Sequence, residues 1–166
     1  MTRTISRGAA ALVALALLPG PALAAGDARL TGLWKLVSYV VEVKETGKTE
    51  PVMGEHPTGY AYFTPEGRVF FNLTGEGRKP AGDEAGRAKL LDTMVAYTGT
   101  FTTEGDSWTA KLDVAWNPAW VGTAQTRRFT LDGKRLRVLT PWRIMPNWAQ
   151  HGETRSIVTL ERAEGE

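Results

Sequence analysis

The sequence predicts an all-β protein, a closed antiparallel up-and-down barrel of about eight to ten strands with one short capping helix. Three observations point there. Short β-patterned segments recur with hairpin-length connections, and a single helical stretch, inside a long crossover, interrupts them. The first segment, residues 33–43, is long and apolar on both faces, so as an exposed edge it would invite aggregation. The last segment, residues 156–161, can pair with it only if the sheet closes; an open two-sheet sandwich is the alternative.

In chain order, Gly32-Leu33-Trp34 opens the first strand, which is rich in β-branched and aromatic residues. Residues 45–51 form a turn, and an irregular loop runs on to Pro57. Residues 58–64 and 68–74 flank Pro65-Glu66-Gly67 and read as a tight hairpin. A polar loop, 75–80, leads to the helical stretch 85–95, where Ala88, Leu91 and Val95 share a face and Asp83 or Glu84 can serve the free amides at its start. Strands follow at 97–103, 107–116, 122–131 and 134–140, the last two joined by the turn pair Asp132-Gly133. Residues 141–152 are a loop, and 155–162 the closing strand.

Two-residue alternation assigns the inward faces. Trp108, Ala110, Leu112, Val114 and Trp116 share one face, opposite Lys111 and Asp113; Leu136 and Val138 face in while Arg135 and Arg137 face water. Phe129 and Leu131 must also be inward, which carries Arg127, Gln125 and Thr123 inward with them and turns Arg128 out. A guanidinium in an enclosed interior is costly unless it is paired and hydrogen-bonded. Either a structural partner inside the barrel satisfies it, or it anchors a ligand's carboxylate, phenolate or enolate. An eight-stranded barrel has room for its own side chains or for one small ligand.

Tyr60, Tyr62, Phe71, Tyr97, Trp108 and Trp116 are available to line such a space, although Ala61 and Phe63 alternate with the two tyrosines and leave that strand's inward face open. Trp142, Met145 and Trp148 need burial, as a lid over the barrel mouth or against the outer wall, and Trp120 stands near the same rim. The candidate ligand-binding residues are therefore Arg127, Tyr97, Tyr60, Tyr62, Trp108, Trp116, Gln125, Phe129, Trp142 and Trp148. No catalytic set emerges: Ser107 and Ser156 lack an identifiable His/Asp partner, and His151 lies on a loop.

Residues 1–24 read as a bacterial secretion signal: Arg3 and Arg7, an apolar run from Ala9 to Leu18, a Pro19-Gly20-Pro21 break, and the small-x-small site Ala22-Leu23-Ala24. The apolar run is too short to span a bilayer, so no stable membrane anchor is expected. The chain has 20 Lys+Arg against 18 Asp+Glu; the leader holds two of the bases and none of the acids, so the remaining 142 residues are balanced at 18 and 18. That removes the electrostatic case for nucleic acid or an anionic membrane. Without cysteine and with only His56 and His151, no metal site or cofactor is expected.

Several stretches carry a resemblance: residues 32–39, the hairpin 57–68, Ala96 to Phe101, Asn117-Pro118-Ala119-Trp120-Val121-Gly122-Thr123 with Gln125-Thr126-Arg127, and Leu160-Glu161-Arg162. In order and spacing, over most of residues 30–162, the chain resembles the bacterial lipocalin-like domain family. The resemblance implies an up-and-down lipocalin-like barrel with a small hydrophobic-ligand cavity, and Arg127 and Tyr97 match its pattern. It also implies a histidine on the strand before the Asn-Pro turn; Ser107-Trp108-Thr109-Ala110 has none.

The function expected is a periplasmic or secreted carrier of a small hydrophobic or amphipathic molecule, as a monomer or weak dimer. A cyclase or isomerase, with Tyr97 as acid and Arg127 stabilising negative charge, is the less favoured reading. A filled barrel acting through protein contacts is the third.

Overall fold

The computed structural model describes residues 26–163, so the expected secretion signal lies outside the described residues. Eight strands form the barrel: β1 (Gly32–Val43), β3 (Thr58–Phe63), β4 (Arg68–Thr74), β5 (Met94–Glu104), β6 (Ser107–Ala115), β7 (Ala124–Asp132), β8 (Arg135–Leu139) and β10 (Glu153–Arg162). Every neighbour is antiparallel, and β10 returns to β1 from Trp34↔Arg162 to Val43↔Thr154, closing the cylinder. Two-residue strands extend the rim: β2 (Thr49–Glu50) beside β1, and β9 (Arg143–Ile144) beside β10.

The first strand is apolar on both faces because it changes face partway. A bulge at Val37 shifts the register between Leu36 and Ser38. Before it Trp34 and Leu36 point inward; after it Tyr39, Val41 and Val43 do. A second bulge, opposite Thr98 and Gly99, corrects the alternation expected in β6. Trp108, Ala110 and Leu112 face the core, but Val114 is turned out and 59% exposed. Gly99 allows the strands this closeness, since a Cβ there would meet the Lys111 carbonyl oxygen at 2.1 Å.

The lower half of the barrel is packed solid. Phe63 meets Phe71, Phe101 and Trp108 edge-on with ring centroids 5.9, 5.3 and 5.2 Å away, and Phe129 lies 5.6 Å from Trp108. Residues 26–31 cross this end. Trp34 Nε1 donates to Leu30 O at 2.7 Å, and the Arg162 guanidinium lies 4.2 Å over the Trp34 ring while donating to Thr31 O and Arg29 O.

At the opposite end lie helix α1 (Glu84–Asp92) and residues 141–152, which form a strap. Asp83 caps the helix as expected, its Oδ1 accepting from Gly86 N at 2.7 Å. The expected apolar helix face does not pack. None of the helix residues is buried, Leu91 is 51% exposed, and Val95 belongs to β5. The helix is held instead by its C-terminal carbonyls, through Arg78 Nη1 to Leu90 O and Thr93 O and through Asn147 Nδ2 to Leu91 O, Asp92 O and Met94 O.

Candidate ligand-binding site

Above the aromatic floor, at the strap end, the barrel holds a cavity. Its walls are Phe71, Leu73, Val95, Val138 and Val158, and its polar head is made by Tyr39, Tyr97, Arg127, Thr140 and Arg143, with Trp120 beside them. It encloses about 340 Å³ of atom-free space with its mouth included, of which about 20 Å³ is open to the centre of a water molecule. The site is therefore drawn tight, and anything larger than a few atoms enters only as side chains or strap give way.

Arg127 faces inward as the alternation with Phe129 requires and is 4% exposed. Its Nη1 donates to Thr126 O at 2.8 Å and its Nη2 to Gln125 Oε1 at 3.1 Å, and it shares the cavity lining with Tyr97. Arg143, on β9 of the strap, donates from Nη1 to the same Gln125 Oε1 at 2.8 Å and lies 5.1 Å over the Trp120 ring. Its Nε is buried with no hydrogen-bond partner. Burial, and then repulsion from Arg127, pull the Arg143 guanidinium down to about 10. No salt bridge to a carboxylate satisfies either arginine among the described residues.

The two tyrosines are equally enclosed. The Tyr39 hydroxyl donates to Ser156 Oγ at 2.8 Å, and Ser156 N donates to Thr140 Oγ1 at 2.8 Å. Burial raises both hydroxyls above the ordinary tyrosine range; the hydrogen bond to Ser156 opposes this at Tyr39, and the charge of Arg127 does so at Tyr97. The strap seals the head. Trp148 packs 5.3 Å from Tyr39, Met145 is buried, and His151 Nδ1 stands 3.1 Å from Glu50 Oε2.

Of the residues expected from sequence, Arg127 and Tyr97 line the cavity and Gln125 bridges the arginines at its edge. Trp108 and Phe129 lie in the packed floor, Trp116 packs on Trp120 at the rim, and Trp148 is on the strap. Three placements are corrected. Tyr60 and Tyr62 are on the outer wall, 48% and 43% exposed, because Ala61 and Phe63 take the inward positions of β3. Trp142 is also outside, beneath the Arg155 guanidinium at 4.7 Å. The tryptophans at 142 and 148 thus divide the two fates offered for the loop, wall for one and lid for the other. Leu131 shares the inward face but sits exposed at the rim.

Tyr39, Arg143 and Thr140 were missed. The Val37 bulge hides Tyr39 from simple alternation, and a two-residue strand inside a loop gives Arg143 no periodicity to read. Among the described residues no group of three or more His, Asp or Glu is placed to hold a metal ion.

Fold and site together define a small closed β-barrel with an internal cavity at one end. The model for the lipocalin-like domain matches residues 31–163, and the chain belongs to that family. No curated protein matches it. Among solved structures, a redesigned beta barrel is similar at 15% identity, covering 82% of this chain and 93% of its own, with a TM-score of 0.42.

Proposed function

We propose that the protein is an exported carrier that holds a small apolar or amphipathic molecule in the strap-end cavity. The observation that carries this reading is the cavity itself, aliphatic and aromatic along its walls with a few convergent polar groups at its head, the composition typical of small-molecule sites. The leader-like residues 1–24 support export to the periplasm or beyond, and the balanced charge of the rest supports a small-molecule partner over nucleic acid.

Native mass spectrometry of protein purified from its own periplasm tests both parts. The expected result is a chain beginning at Ala25 and carrying an added mass that is lost on denaturation. A full-length chain retained in the cytoplasm would end the export reading, and a bare mass under conditions that preserve hydrogen-bonded complexes would end the carrier reading.

The placement of Tyr97 and Arg127 together in the cavity head favours one second reading, a cyclase or isomerase in which Tyr97 donates a proton and Arg127 stabilises the charge that develops. Turnover of a bound molecule, abolished in Tyr97→Phe, is its test; inert binding decides for the carrier.

A further inference from the structure

The head of the cavity brings together two guanidiniums, one shared neutral acceptor and no carboxylate. Arg127 comes from the barrel wall and Arg143 from the strap, and both lean on Gln125 Oε1. That amide oxygen carries no charge to offset two cations kept from water, and Arg143 Nε finds no acceptor at all. A fold that only needed to fill its barrel would place apolar side chains here, as it does in the aromatic floor.

We propose that the cavity takes an organic carboxylate, its two oxygens held between Arg127 and Arg143, and that this anion fastens the strap. The proposal rests on the carrier reading and adds the charge and chemical class of the molecule carried. A guanidinium presents paired N–H groups that match the two oxygens of a carboxylate, and one such anion neutralises one of the two cations and relieves the repulsion between them. A phosphate, with four oxygens around a larger centre, fits a head drawn this tight less well. Below the head the walls are Phe71, Leu73, Val95, Val138 and Val158, which suit a single ring or a short alkyl body.

The strap's part follows from Arg143. Its charge disfavours closure while its neighbours are Arg127, the neutral Gln125 and the Trp120 ring, and an anion between the arginines reverses that sign. A molecule that enters as the side chains around the cavity give way, and that holds Arg143 and the strap down over itself, then favours closure by mass action.

Isothermal titration of the purified protein with phenylacetate and its neutral isostere phenylacetamide, and with hexanoate and hexanamide, tests this. Each acid is expected to bind at least tenfold more tightly than its amide, with the stronger pair telling ring from alkyl body. Arg127→Gln and Arg143→Gln should each bring acid and amide toward equal affinity. Gln125→Glu guards against variants that fail to fold, because it places a carboxylate between the arginines. It should raise the melting temperature of the ligand-free protein and weaken acid binding at least tenfold. Equal binding of acid and amide by the parent protein would overturn the carboxylate while leaving the carrier reading intact. So would a Gln125→Glu protein that melts lower and binds acid unchanged. If none of the four probes binds at millimolar concentration the proposal falls, and the carrier reading is then decided separately by the co-purifying mass.

Discussion

Arg143 is held in a place that does not suit its charge. With its pKa drawn well below the ordinary guanidinium range, to about 10, the native state holds this proton less firmly than the unfolded chain does. The penalty is complete below pH 10 and is lifted as pH climbs from about 10 toward the ordinary guanidinium range, so this residue's effect on stability improves with pH in that window. A shift of that size is worth at most about 3 kcal/mol, and the Gln125 bond and Trp120 stacking offset part of it. Arg143→Met is therefore expected to stabilise the ligand-free protein by about 1 kcal/mol at pH 7, with a smaller gain at pH 10.5, measured as urea midpoints. A lower midpoint at pH 7 would contradict the account. Residues of this kind differ in how far a sequence exposes them. Arg127 was readable because Phe129, two positions on, fixes the inward face of its strand. Tyr39 was not, since one extra residue at Val37 inverts the alternation on which such a reading depends.

Helix α1 and the strap show what local patterning leaves out. The spacing of Ala88, Leu91 and Val95 suggests an apolar helix face, yet nine residues make too short a helix to cover the barrel, and its apolar side faces solvent. What holds it is two polar side chains, Arg78 and Asn147. Asn147 Nδ2 serves three carbonyls at and just beyond the helix end, so the helix is fastened to the strap, and the strap to the core through buried Met145 and Trp148. Asn147→Ala is expected to cost about 1–2 kcal/mol and to raise amide exchange in residues 84–93 and 141–152 together. Exchange confined to the helix would mean that the strap is secured elsewhere. Nothing in the sequence marks Asn147, because the bonds that matter link residues more than fifty positions apart. The hairpin 58–74, with its turn chemistry in adjacent residues, was by contrast placed almost to the residue.

For the whole molecule, closure depends on one seam. The long pairing of β1 with β10 joins the two ends of the sheet, and its breakage would leave two unpaired edges rich in Val, Ile and Leu. Thr159 lies inside that seam, opposite Ser38 on one side and Arg137 on the other. Thr159→Pro removes a ladder bond from a strand paired on both sides and is expected to cost about 3 kcal/mol, with larger soluble species on size exclusion than the parent protein gives. A variant of unchanged size and stability would show that the seam is not what keeps the barrel shut. Closure was legible in the sequence because a first strand apolar on both faces has no tolerable edge; the cavity was not, because which aromatics fill and which line depends on two bulges. The stopper at the far end has a kinetic consequence. With Trp34 plugged under Arg162 and residues 26–31 lying across it, that end offers no passage, and on the proposed carrier reading the strap is the door left to a solute. Uptake followed by stopped flow should then stop accelerating as solute concentration climbs, levelling off at the frequency with which the door swings.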